Sequence, residues 1–132
     1  MHVVIRRRPL PMYKTLTAFA HTDTPASHDH PRPGRLVDGN PLRTTWNHFE
    51  RDGMSAGLWS CEPGAWRIAF ADDTDEFFHV LSGRVRISDE AGLAREFGPG
   101  EACVIPAGFK GVFEVLEAVM KHYVFVKRGE MG

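Results

Sequence analysis

The sequence predicts an all-β chain, a small antiparallel barrel or sandwich behind an extended N-terminal arm. Three observations predict it. From Arg43 onward, short runs rich in apolar, β-branched and aromatic residues alternate with glycine- and proline-bearing turns. No stretch carries a helical period long enough to cover a parallel sheet. The segment Phe97 to Phe113 then repeats the pattern in miniature: a Gly-Pro-Gly turn, the short run Ala102 to Ile105, a Pro-Ala-Gly turn and a further run.

Residues 1–42 mix prolines with polar and histidine-bearing segments and follow neither hydrophobic period, which reads as an extended arm with incidental histidines. Arg6, Arg7 and Arg8 ahead of Ala18-Phe19-Ala20 imitate a signal peptide, but Pro9, Pro11 and Lys14 interrupt the apolar segment such a signal needs. Met12 is an alternative translation start. Residues 43–132 form the barrel domain. Its expected strands are Thr45 to Phe49, Gly57 to Cys61, Trp66 to Phe70, Phe77 to Ser82, Arg84 to Ser88, Arg95 to Phe97, Ala102 to Ile105, Val112 to Leu116 and Met120 to Lys127.

At 132 residues the chain is one domain by size, able to bury a core without disulfides or structural metal. A net charge of -1, with no basic strip interleaved with aromatics, gives no pull toward nucleic acid or anionic membrane. No apolar run approaches a membrane span. Cys61 and Cys103, few and far apart in apolar runs, read as reduced core residues of a cytoplasmic protein. Serine-elbow and phosphate-loop motifs are absent, and zinc-type cysteine pairs are too.

Ser82-Gly83 between two apolar runs reads as a tight hairpin turn, which would set Leu81 opposite Arg84, Val80 opposite Val85 and Phe78 opposite Ile87. Val80, Val85, Phe78 and Ile87 then form the core face, and Glu76 points inward at the start of the same row. His79, opposite Arg86, faces outward.

Trp59 to Gly64, Asp72 to Val85 and Phe97 to Gly111 together resemble the cupin superfamily, and more narrowly its ureidoglycine-aminohydrolase-type domain. The match spans about Arg35 to Val126, with Glu76-to-Gly83 and Gly100-to-Gly108 spaced as in the two cupin motifs. The resemblance implies a single-domain cupin, a small antiparallel jelly-roll β-barrel around a ligand cavity, and arm and barrel edge would suit a homodimer. Many cupins hold a divalent metal through histidines. Here Phe70, Ala71, Asp72 and Asp73 occupy the upstream ligand positions, and Gly111 stands where the later histidine would be. A lone Glu76 is a poor transition-metal site, so no metal and no cofactor are expected.

A carboxylate inside an apolar barrel is costly unless a cation or donors compensate. Lys121, on a strand face shared with Tyr123 and Phe125, is the expected compensator, and Glu76 and Lys121 are the candidate catalytic acid/base pair. Trp59 and Trp66 flank the Glu62-Pro63-Gly64 turn and Phe109 follows the Pro-Ala-Gly turn; with Phe78 and Tyr123 they are the candidate substrate-binding residues, walls for a flat ureido, amide or ring ligand. The expected function is processing of such a metabolite, or of a sugar-like one, at a C–N or C–O bond. The alternative is a metal-free module that binds the small molecule without turning it over.

Overall fold

The computed structural model describes residues 14–20 and 24–129. Readings made for Met1 to Tyr13, the Met12 start among them, and for His21 lie outside these residues. Among the described residues nine strands run antiparallel: β1 (Ser27–Asp29), β2 (Leu36–Asp38), β3 (Arg43–Arg51), β4 (Met54–Cys61), β5 (Gly64–Ala69), β6 (Thr74–Asp89), β7 (Ala94–Phe97), β8 (Ala102–Ile105) and β9 (Lys110–Lys127). One 3-10 turn, Pro33–Arg35, sits between β1 and β2, and the described residues contain no α-helix. Among the described residues no helix is therefore long and apolar enough to cross a membrane.

Two long strands organise the sheet. β6 pairs with β9 along nearly its whole length, from Thr74 opposite Lys127 to Asp89 opposite Gly111. The outer edges of this ribbon are each shared by two shorter strands. On β9, the half from Val119 to Val126 carries β4 and the half from Lys110 to Val115 carries β5. On β6, Glu76 to His79 pair with β8 and Val85 to Ser88 with β7. The ribbon thus runs through both halves of one curled sheet: β1, β3, β4 and β8 join one half, β2, β5 and β7 the other. This is the jelly-roll arrangement expected from the sequence.

The curl depends on a bend that corrects one expectation. Ser82-Gly83 is not a hairpin turn; β6 continues through it, and both of its halves pair with β9 instead of with each other. Gly83 has φ of 82°, and a Cβ there would lie 2.1 Å from the carbonyl oxygen of Ala118 on β9. The two backbones touch at the corner, so only a residue without a side chain fits. Across the bend the register shifts between Val80 and Val85 and slips by one residue overall. The slip explains why the inward faces were read correctly from the wrong turn. Glu76, Phe78 and Val80 point inward before it, Val85 and Ile87 after it, as a hairpin would also have required.

Those residues form the core. Phe78, Val80 and Val85 are fully buried, packed in one cluster with Cys61, Trp66, Ile105, Phe113 and Val119. Both cysteines are free. The segment read as an arm is hydrogen-bonded into the sheet: β1 pairs with β3 and β2 with β5. Its own pattern hides this because edge strands of three residues, exposed on most sides, carry no hydrophobic period.

The corner predicts an asymmetry between two glycines of similar backbone angle. Gly83→Ala should cost at least about 2 kcal/mol, from left-handed strain plus the backbone clash. Gly92, with φ of 85° and open space around it, should cost only about 1 kcal/mol as Gly92→Ala. Urea midpoints of the two variants measure the difference.

Candidate functional site

The space between the two halves of the sheet is a cavity of about 510 Å³. β4 and β5 bring Trp59 and Trp66 to its wall, and the inward residues of β9 bring Lys121, Tyr123 and Phe125. Glu76 enters from the neighbouring position on β6, since Glu76 pairs with Phe125 and Val80 with Lys121. Alternation along two paired strands thus aims a carboxylate and an ammonium into the same space.

Lys121 Nζ donates to Glu76 Oε2 at 2.8 Å, and both residues are only 4% exposed. The ammonium also lies 4.5 Å from the ring centre of Trp59, 4.4 Å from Phe78 and 4.9 Å from Phe113. Three aromatic rings thus surround a buried cation that is hydrogen-bonded to a carboxylate. Each close ring contributes roughly 0.5–2 kcal/mol, which offsets part of the cost of taking the lysine out of water. Phe113 itself meets Trp59 edge-on at 5.8 Å and Trp66 at 5.2 Å, so this aromatic wall is fixed by its own packing.

Above the pair, Tyr123 donates its hydroxyl to Asn47 Oδ1 at 2.8 Å. Burial, helped by the negative charges of Glu76 and Glu50, pushes the Tyr123 phenol up to about 12, so it acts as a hydrogen-bond donor and not as a base. Toward solvent, Arg43 makes a bidentate pair with Asp29 at 2.8 and 2.6 Å, and both line the cavity.

Of the residues singled out from the sequence, Glu76, Lys121, Trp59, Trp66 and Tyr123 line this cavity together. Phe78 lies beneath it as a support for the ammonium, fully buried. Phe109 lines a separate small hollow with Leu93, Phe97 and Cys103. His79 pairs with His122 on the opposite face of the strand from Glu76, as its register position requires. The burial of His122 and its neighbours His79 and His48 lower its pKa. Sequence reasoning missed Asn47, Asp29 and Arg43. Asn47 alternates with Thr45 on β3, both inward, and that alternation was the available signal; Asp29 gave none, because a three-residue strand has no readable period.

The donor set does not fit a transition metal. Among the described residues no three His, Cys, Asp or Glu side chains cluster as ligands. Glu76, the remaining carboxylate of the motif, already bonds an ammonium that occupies the space a cation would need.

The profile of the EutQ-like cupin domain matches residues 50–123. The EutQ protein of Clostridium difficile superposes with a TM-score of 0.59 at 21% identity, over 66% of this chain and 64% of that one. A protein of unknown function of the DUF861 family, from Pseudomonas syringae pv. tomato, reaches 0.69 at 20% identity, over 79% of this chain and 45% of the other. At such identities both bear on the fold alone. In sequence the chain is 29% identical to a homogentisate 1,2-dioxygenase of Pseudomonas savastanoi over 98 residues, 74% of this chain but 22% of that protein, so it spans about a fifth of the length of that relative.

Two measurements probe the site. In a double-mutant cycle, Glu76→Gln and Lys121→Met should each destabilise by about 3–5 kcal/mol, because each strands a buried charge, while the double variant should lose less than the sum. Denaturant midpoints decide it; additive losses would mean the two charges do not interact. The Tyr123 phenol supplies a pH signature. Its folded pKa is raised, so its contribution to stability is complete below the free phenol's value of about 10 and is lost as the pH rises through about 12. Tyrosinate absorbance should therefore rise in two steps, the later one absent in Tyr123→Phe.

Proposed function

Because this chain belongs to the EutQ-like cupin domain family, we propose that its barrel takes up a small metabolite bearing an amide, ureido or vicinal hydroxyl group and acts on a C–N or C–O bond of it, with Lys121 as proton donor and Glu76 as proton acceptor. The observation that carries this reading is the buried 2.8 Å contact between the two at the wall of a 510 Å³ cavity. An ammonium next to a carboxylate matches a ligand that offers an acceptor and a donor side by side, as C=O and N–H do in an amide or ureide. Trp59, Trp66 and Phe113 give a flat apolar wall for the rest of such a molecule, and the Tyr123 hydroxyl and Asn47 give it polar neighbours.

In the catalytic cycle Lys121 Nζ would protonate the departing nitrogen or oxygen while Glu76 takes a proton from the attacking or neighbouring group. The pair returns to its starting state by passing one proton between two atoms already in contact. No step passes through a metal.

A second reading, binding without turnover, is favoured by one feature: Lys121 is held by Glu76 and three rings at once, a static arrangement that suits recognition as well as proton transfer.

A thermal-shift screen with ureido acids, primary amides and pyranose sugars tests both. At least one compound should raise the midpoint, since ligand at a hundred times Kd adds about 2.7 kcal/mol. Lys121→Met should abolish the shift, and the outward His79→Gln should keep it. Recovery of the compound chemically changed supports catalysis, and recovery unchanged supports the binding module. If no compound shifts the midpoint, or Lys121→Met responds like the parent chain, the assignment of the pair is wrong.

A further inference from the structure

At the edge of β5 a second cavity, of about 260 Å³, adjoins the first and shares Arg43, Trp66, Ile68 and Phe70 with it. Arg32, Arg35 and Arg67 complete its charged lining, so four arginines and, among the described residues, no acidic residue line this space.

The chain builds the cluster from three places: the turn after β1 gives Arg32 and Arg35, β3 gives Arg43 and β5 gives Arg67. Pro33 opens the 3-10 turn Pro33–Arg35, closed by the Arg35 amide donating to the Arg32 carbonyl at 2.8 Å. With three residues per turn, positions 32 and 35 share one side. Opposite them, β5 runs on past β2, whose pairing with β5 ends at Leu36 and Trp66, and Arg67 follows directly. Arg67 Nη2 donates to the Gly34 carbonyl at 2.6 Å, a neutral partner that fixes the side chain and leaves its charge uncompensated. Among the described residues Arg32 and Arg35 make no side-chain hydrogen bond or ion pair, and of the four only Arg43 has a carboxylate, Asp29. Arg43 is further held 5.3 Å from the ring centre of Trp66.

Arg32, Arg35 and Arg67, which have no carboxylate partner among the described residues, are like charges around one hollow that repel each other, and an anion seated among them relieves that repulsion. Guanidinium forks match the paired oxygens of carboxylate and phosphate groups. We propose that this vestibule binds an anionic oxygen group, carboxylate or phosphate. It anchors the acidic end of the same ligand whose polar group reaches Glu76 and Lys121; this second statement rests on the function proposed above, and the first does not.

Calorimetric titration of the full chain at low salt, with inorganic phosphate and separately with succinate, tests the vestibule. At least one probe should bind saturably, more weakly as salt is added. The double variant Arg35→Gln, Arg67→Gln, both exposed positions, should keep the parent melting midpoint and bind at least tenfold more weakly, whereas Lys121→Met should bind as the parent does. Phosphate alone binding assigns a phosphoryl group and succinate alone a carboxylate; binding of both assigns an anchor for either. The proposal is overturned if neither probe saturates, if the double variant binds like the parent, or if only Lys121→Met loses binding, which would put the anion in the deeper cavity. Failure of the amide and ureide screen would leave this result standing.

Discussion

The contact between Gly83 and the backbone of Ala118 is the constraint on which the rest of the structure depends. Two strands of 16 and 18 residues, paired almost throughout, would make a long twisted ribbon if nothing turned them. The close approach at Gly83, with its register slip, turns the ribbon so that its two halves lie in opposite halves of the sheet. β4 and β5, then β7 and β8, fill the edges this leaves. The slip also preserves the burial of apolar side chains on both sides of the corner. Without it, one half of β6 would present Phe78 and Val80, or Val85 and Ile87, to solvent.

The same ribbon creates the site. Glu76 and Lys121 stand on adjacent long strands, on the same side of the corner and inside the sheet, where neither would be tolerated alone. The aromatic wall of Trp59, Phe78 and Phe113 makes the lysine's burial affordable and restrains its ammonium against Glu76. The barrel thus holds at its cavity wall an ion pair made of its own side chains. The aromatic wall and the charged pair are one structure, because Lys121 contacts all three rings directly.

Short segments ahead of the barrel complete the mouth. β1 supplies Asp29 to Arg43, and the turn between β1 and β2 supplies Arg32 and Arg35 beside Arg67. Polarity therefore changes along the path inward: uncompensated arginines outside, apolar and aromatic walls between, and a neutral ion pair within. Under the proposed binding, such a gradient would orient an elongated ligand with one acidic end, since each end would find its own complement only in one direction.

Alternation and turn chemistry, which are local, made the all-β class legible in the sequence, along with the inward faces of Glu76, Phe78 and Lys121 and the outward face of His79. The strand from Ala102 to Ile105 came out with its bounds intact for the same reason, since both its turns are written in glycine and proline. The partner of each strand is a different matter. Ser82-Gly83 carries the same residues whether the chain folds back there or bends and continues, and only the backbone of Ala118, 35 positions later, decides between them. Phe109 is likewise as apolar as Trp59, yet lies in a different hollow, because which aromatic meets the cavity is set by how the sheet closes. The gathering of Arg32, Arg35, Arg43 and Arg67 joins residues from the turn, β3 and β5 that no spacing relates. Local physics fixed which way each side chain points, and tertiary packing alone decided what it points at.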